Sequence, residues 1–364
     1  MKSKLITINP TGDYRVIAIS DIHAHYKHLE TLLEKVNLNS EDYLIILGDF
    51  IHKGPCSYKT LKIIQRLSLR SRTVILKGNH EYKIQNVMSS IENFKSLYHL
   101  LVKEHSENLF HAISRETNRP CSIFTTAEEH YNDLLKHHRD DFVFIGNLPV
   151  ILNFDEFRFV HGGYDSGFCL DKDERKFLKF DDFNSKSKKN NKTTIVGHWP
   201  TGLLRNNQIT NMPYFNYEKN IIFIDGGLGV KNTGELNALV IEKIDNKISY
   251  STIQENNFAS KEINESEIFN SEPLLMLSYP HLSFEILEQD TELTKCLHKD
   301  TNQEFTIINN LIMRHKDEWV PKIEYINLFM NLEVGTQVEV CNEYGAFSLV
   351  KYNDEFGWIK SSQI

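Results

Sequence analysis

Five short apolar runs in the first two hundred residues each end abruptly in a carboxylate, an imidazole or a carboxamide. "YRVIAIS" (14–20) runs into Asp21 and His23, and "DYLIILGD" (42–49) ends on Asp49. "TVILKGNH" (73–80) ends on Asn79 and His80, with Glu81 next. "FRFVHGG" (157–163) carries His161, and "TTIVGHWP" (193–200) carries His198. Two amphipathic segments separate the first three runs. "HYKHLETLLEKV" (25–36) has Leu29, Leu32, Leu33 and Val36 at helical spacing, and "SYKTLKIIQRLSLR" (57–70) repeats the pattern. A βαβαβ order predicts parallel strands joined by right-handed crossovers. Such sheets place their ligand site beyond the carboxyl ends of the strands. All of these polar residues should therefore meet on one rim.

Taken singly, each has a plain structural explanation. Asp21 reads as a helix cap, and Asn79 after Gly78 as turn chemistry. Together they read differently. Gathering two aspartates and several histidines in one place is costly unless a cation offsets the carboxylates and the imidazoles stay neutral. A mixed oxygen and nitrogen donor set without thiolate suits manganese, iron or zinc rather than copper or an iron–sulfur cluster.

The ordered elements "SDIHAH", "LGDFIHKGP", "KGNHE", "FVHGG" and "VGHWP" resemble those of the calcineurin-like metallophosphoesterases. Within that family the resemblance is to the phosphoprotein-phosphatase branch, which includes bacterial relatives and the symmetrical diadenosine tetraphosphatases. "GNLPVILNFDEFRFVHGG" and "IIFIDGGLGVKNTGELNALVIE" match further elements of the branch. The resemblance implies an α/β fold, a metallophosphoesterase β-sandwich core flanked by helices. It also implies two divalent metal ions about 3.5–4 Å apart, suited to in-line phosphoryl displacement. Mn²⁺ is the expected metal, with Fe or Zn as alternatives. Asp21 and His23 would bind the first ion, Asp49 would bridge, and Asn79, His161 and His198 would bind the second. His80 matches a non-ligand and is the expected general acid for the leaving alkoxide.

The chain departs from the branch at two positions. His52 stands where the family has the aspartate that orients the GNHE histidine, and Lys53 where it has a phosphate-binding arginine. Lysine still binds phosphate as a point charge but loses the bidentate fork. Glu81 and Arg175, in "KDERKFLKF", are the candidates to supply what is missing. The expected activity is hydrolysis of phosphomonoesters on phosphoproteins (Ser/Thr, or Tyr). Hydrolysis of symmetrical diadenosine polyphosphates is the alternative, and a catalytically decayed binding scaffold ranks below both.

The remaining chain divides into a phosphoesterase domain over 1–255, with a helical insert at about 84–140, a polar linker over 256–273 and a β-rich domain over 274–364. "FGWIKSSQI" resembles the end of a bacterial SH3-like barrel, which implies a small all-β domain, either a module for a protein partner or a packing appendage that stabilises the catalytic domain. Residues 274–331 either complete that domain or form a second, divergent copy. The charged run 171–192 is expected to be a mobile loop near the cleft, and "DGGLGVKNTG" a turn rather than a nucleotide loop. A net charge of −8 argues against nucleic acid as a partner. Five scattered cysteines without a CxxC pair, no signal-peptide-like N-terminus and no long apolar run give a cytoplasmic expectation and no membrane partner, with leaderless export as the alternative.

Overall fold

The computed structural model describes residues 5–100, 107–164, 173–205, 208–279 and 281–364. Among them, no helix is long and apolar enough to cross a membrane. The chain forms two compact units. The first comprises 1–201, 212–230 and 234–256, and the second 202–211, 231–233 and 257–364.

The strands of the first unit are β1 (Leu5–Ile8), β2 (Tyr14–Ile19), β3 (Tyr43–Ile46), β4 (Thr73–Ile75), β5 (Ile151–Phe154) and β6 (Phe157–Val160). β7 (Thr193–Val196), β8 (Tyr214–Asn216), β9 (Ile221–Phe223), β10 (Leu236–Ile244) and β11 (Lys247–Glu255) follow. They form two sheets, ordered β1-β5-β6-β7-β9-β8 and β11-β10-β2-β3-β4. Both faces of the central strands β2 and β3 are covered, which explains why these strands are apolar instead of alternating. On β2, Tyr14, Val16 and Ala18 join one core with Phe157, Phe159, Ile195 and Leu239 from the strands of both sheets. Ile17 and Ile19 point the other way, into a core with Leu29, Leu32, Leu61 and Ile64 of the helices.

β2, β3 and β4 are parallel, and their final residues Ile19, Ile46 and Ile75 lie side by side. β6, β7 and β9 are also parallel, with Val160 beside Val196 and Val196 beside Phe223. This register brings the polar turns after each set of strands to a common edge. Helices α1 (Tyr26–Lys35) and α2 (Ser57–Leu67) make the crossovers. α3 (Asn79–Val87), α4 (Ile91–Tyr98), α5 (Leu109–Glu116) and α6 (Ala127–Asn147) fill the segment between "GNHE" and β5. Of the charged run, residues 171 and 172 lie outside the described residues. The rest contains two one-turn helices, α7 (Arg175–Leu178) and α8 (Phe183–Lys186), pinned by buried Phe177, Leu178 and Phe183.

One histidine of the helical insert has a consequence for stability. His130 of α6 stacks on Phe124 with ring centroids 4.5 Å apart and lies edge-on to Phe94 and Tyr98. Its Nδ1 is buried without a hydrogen-bond partner. Burial, partly offset by Asp133 and reinforced by His111, lowers its pKa from 6.5 to about 4. The unfolded chain therefore binds this proton more readily between those values. The neutral ring's contribution is complete above pH 6.5 and is lost as the pH falls towards 4, at no more than about 1.4 kcal/mol per pH unit. Denaturant titrations of metal-saturated protein at pH 7 and pH 5 should show His130→Phe losing less stability on acidification than the native chain. An unchanged pH dependence would mean that this ring is not among the groups responsible.

The second unit is largely β-structure, with strands β12 (Ala259–Glu262), β13 (Met276–Leu277), β14 (Phe284–Gln289), β15 (Leu293–His298), β16 (Glu304–Ile308) and β17 (Ile312–His315). β18 (Glu318–Pro321), β19 (Tyr325–Ile326), β20 (Gln337–Tyr344), β21 (Phe347–Tyr352) and β22 (Glu355–Lys360) complete it. A three-stranded meander closed by a 3-10 turn occurs twice: β14-β15-β16 with Asn309–Leu311, and β20-β21-β22 with Ser361–Gln363. The two share a core that includes Phe284, Phe305, Phe347, Phe356, Tyr325 and Trp358, the last two stacked with ring centroids 5.7 Å apart. Trp358 is fully buried and donates its indole N–H to the Ile326 carbonyl at 2.7 Å.

Two boundaries differ from the sequence reading. Within 256–273, expected as a linker, Ala259–Glu262 pairs antiparallel with β20. Residues 202–211 and 231–233, expected within the phosphoesterase domain, belong to the second unit. There the Ile209 carbonyl accepts from the Phe356 N–H at 2.9 Å, and Lys231 pairs with Glu324 at 2.9 Å.

Candidate metal centre

The turns that follow β2, β3, β4, β6 and β7 hold the polar residues of the rim. Backbone packing dictates how closely they approach. Gly48 has φ +97°, and a Cβ there would strike the backbone of Gly78, so the turns carrying Asp49 and Asn79 touch main chain to main chain. A Cβ on Gly197 would strike Ser20 and the Asp21 carboxylate, which seats the His198 turn against Asp21. Asp21, His23, Asp49 and His198 all have positive φ, a conformation that costs non-glycine residues free energy and is common at functional sites. Interlocking hydrogen bonds hold it. Asp21 N–H donates to the Gly48 carbonyl at 3.2 Å and His23 N–H to the Asp49 carbonyl at 2.9 Å. The Asp21 carboxylate accepts from His198 N–H at 2.9 Å and from the Ser20 hydroxyl.

Asp49 occupies the middle. Its Oδ1 accepts from His80 N–H at 2.9 Å, and its Oδ2 lies 3.3 Å from His161 Nε2 and 3.9 Å from His80 Nε2. Two donor groups share it: His23, Asp49 and His80 form one, and Asp49, His161 and His198 the other. The donor atoms within each group lie within 4.8 Å of one another. Asp21 Oδ1 stands 3.8 Å from His23 Nε2, and Asn79 Oδ1 stands 3.1 Å from His161 Nε2. Supporting contacts orient two of the imidazoles. His161 Nδ1 donates to the Leu47 carbonyl at 2.9 Å, which leaves Nε2 facing Asp49 and Asn79. His198 Nε2 is 3.0 Å from Asp181, which leaves Nδ1 for a ligand role.

The electrostatics favour positive charge beside Asp49. Burial opposes a charge on His161, but the Asp49 and Asp21 carboxylates outweigh it and raise its pKa to about 10. Burial would likewise raise Asp49, yet His161 and His80 hold it well below the usual carboxylate range. The protein thus stabilises positive charge beside a fully buried carboxylate. The donor set of carboxylate, imidazole and carboxamide fits a pair of borderline or hard divalent ions.

His80 sits at the edge of this cluster. Its Nδ1 is 3.0 Å from Nδ1 of His52, with ring centroids 5.1 Å apart. Burial, countered by Asp49 and reinforced by His23 and Lys53, lowers the His80 pKa to about 4. Burial, then His80, pushes His52 well below the usual histidine range. A neutral His52 can share one hydrogen bond with His80 through the two Nδ1 atoms but brings no negative charge to it. Lys53 is exposed and lines a surface groove of about 690 Å³ with Gly54, Pro55 and Lys59.

The two residues expected to compensate for His52 and Lys53 are engaged elsewhere. Glu81 does not face the His80 ring: its fully buried carboxylate accepts from the N–H groups of Asp49, Phe50 and Gly78 at 2.8, 3.1 and 2.9 Å, and more weakly from Ile51. It fixes the turn that carries Asp49. Arg175 is exposed and ion-paired with Asp173, on a groove that also contains Asn79. Two carboxylates beside the centre escaped the sequence reading. Asp181 lay hidden in the charged run. Asp225 ends the strand "IIFID" just as Asp49 ends its own; burial and then Asp21 raise its pKa well above the usual range, and it accepts from Gly227 N–H at 2.7 Å.

Residues 14–224 match the family model described as calcineurin-like phosphoesterase. Among curated proteins, the symmetrical bis(5'-nucleosyl)-tetraphosphatase of Buchnera aphidicola subsp. Acyrthosiphon pisum is 41% identical over 78 residues, 21% of this chain and 28% of that protein. The enzyme of the same name from Photorhabdus laumondii is 36% identical over 78 residues, again 21% and 28%. The chain thus matches little more than a quarter of the length of these relatives. Among solved structures, a cold-active protein-tyrosine phosphatase of a Shewanella species aligns with a TM-score of 0.43 and 17% identity, covering 68% of this chain and 82% of that one. A protein serine/threonine phosphatase from Saccharomyces cerevisiae aligns with a TM-score of 0.42 and 11% identity, covering 71% and 86%.

Proposed function

This chain belongs to the calcineurin-like phosphoesterase family, and from that premise we propose that it hydrolyses phosphomonoesters on phosphorylated protein side chains. The observation that carries the reading is Asp49, one buried carboxylate shared by two His-containing donor groups. Asp21, His23 and Asp49 would hold one divalent ion, and Asn79, His161 and His198 would complete the site of a second, with Mn²⁺ preferred and Fe or Zn as alternatives. When bound, such a pair supplies Lewis acidity towards the phosphoryl group and a water made nucleophilic near neutral pH.

The protein's own groups do the rest. His80 holds a proton at Nε2 for the departing oxygen, and the His52 ring at its Nδ1 sets its orientation. Lys53 offers a point charge to the phosphate. Glu81 keeps the Asp49 turn rigid through its bonds to consecutive backbone N–H groups. Open surface grooves border Lys53 on one side and Asn79 on the other, which supports an extended polypeptide as substrate. The second unit, with its "FGWIKSSQI" ending, is read as an SH3-like module for a protein partner. The second reading, hydrolysis of symmetrical dinucleoside polyphosphates, is favoured by the names of the curated relatives.

A panel assayed with Mn²⁺ separates the readings: phosphoserine, phosphothreonine and phosphotyrosine peptides, diadenosine tetraphosphate and para-nitrophenyl phosphate. The expected result is the highest kcat/KM on a phosphopeptide. A preference for diadenosine tetraphosphate would install the second reading. Bound metal with no turnover of any substrate would point to a binding scaffold.

A further inference from the structure

The groove beside Asn79 has a volume of about 570 Å³, and its walls include Tyr82, Arg175, Lys176, Lys179 and Asp181. That volume is in the range of ligand sites, and one end is a residue assigned here to the metal centre. The charge on this wall leans positive. Of the charged groups that line it, Asp173 is ion-paired with Arg175, while Asp181 lies 3.0 Å from His198, an imidazole whose pKa burial lowers, and so keeps its negative charge. Lys176 and Lys179 are exposed and have no acidic partner among the described residues. A chain with a net charge of −8 thus presents an excess of positive charge, Lys176 and Lys179 against Asp181, along a groove that leads to its reactive centre.

We propose that this groove receives an acidic stretch of the substrate polypeptide next to the phosphorylated residue, so that the enzyme selects phosphosites flanked by Asp or Glu. This rests on the protein-substrate reading above. A peptide whose phosphate lies at the metal centre has neighbouring residues within reach of the Asn79 end of the groove. Tyr82 offers those residues an amphipathic wall, and Lys176 and Lys179 meet their carboxylates. Exposed ion pairs are individually weak, but two cations acting on several carboxylates set a preference that falls as salt is added.

The test compares kcat/KM for two phosphoserine peptides of equal length, one with Asp and Glu flanks and one with Ser and Gln flanks, in the full-length Mn²⁺-loaded protein. The acidic peptide should be preferred about tenfold at low salt, and the preference should shrink at high salt. In Lys176→Glu/Lys179→Glu the ratio should fall to one or below, with Lys176→Gln/Lys179→Gln between. Both peptides turning over with no preference, or an unaltered preference in the charge-reversed variant, would overturn the groove assignment alone. Turnover of para-nitrophenyl phosphate with neither peptide hydrolysed would overturn the protein-substrate reading and the groove assignment with it. A loss confined to diadenosine tetraphosphate would assign the lysines to a polyphosphate instead.

Discussion

Asp49→Asn should lower turnover of para-nitrophenyl phosphate by well over about 100-fold, with bound metal falling from two ions per chain to one or none. Losing a residue that only supports a metal ligand typically costs about 10–100-fold in affinity or activity. Asp49 is the shared member of both donor groups, so its loss should exceed that range. The amide keeps the size of the carboxylate but removes the charge that burial and the surrounding histidines are arranged around. His161 shows the scale of that charge, because Asp49 leads the carboxylates that raise it to about 10 against the pull of burial. Without Asp49's charge, His161 should also titrate lower, an effect visible by NMR in the metal-free protein. Elemental analysis beside the activity assay keeps the two consequences apart. Two bound ions with full activity would remove Asp49 from the bridging role.

The centre was legible because it is built from parallel strands. A parallel strand buried on both faces reads as a run of apolar residues, and while one polar residue after such a run reads as a cap or a turn, a whole set of them at one edge does not. Five repetitions made the rim visible before any fold was known. The same reasoning reaches Asp225 at the end of β9, where burial and then Asp21 push the carboxyl pKa well above the usual range. Asp181 carries no such pattern. It acts through one contact to His198 from within a run of mixed charges, and only packing of Phe177, Leu178 and Phe183 puts that run in place. β12 was missed for a related reason: as an edge strand it exposes Ala259, Ser260 and Glu262, so its sequence looks like a polar tether. Glu81, a candidate to support His80, is instead bonded to the N–H groups of Asp49, Phe50 and Gly78. A carboxylate that satisfies backbone N–H groups leaves no partner in the sequence to point at.

His52 carries the other large expectation. With its Nδ1 3.0 Å from that of His80, it stands where an orienting partner should stand, but as an imidazole held neutral by burial. It can fix the direction of the His80 ring. It cannot stabilise an imidazolium as a carboxylate would, and Lys53 and His23 oppose the charge further. General acid catalysis is typically worth about 10²–10⁴-fold, and most of that is at stake when the leaving group is a poor one such as serine alkoxide. Para-nitrophenolate leaves readily without a proton. His80→Asn should therefore cost about 10²-fold or more on a phosphoserine peptide and far less on para-nitrophenyl phosphate. His52→Asp should act in the opposite direction, raising phosphoserine turnover more than para-nitrophenyl phosphate turnover and moving the alkaline limb of the pH profile upward. A carboxylate beside His80 raises its pKa, so the protonated form would persist to higher pH. Equal gains on both substrates, or losses on both, would mean that the imidazole at position 52 serves the substrate directly, and that the replacement of the family's aspartate changed what the enzyme selects instead of weakening its acid.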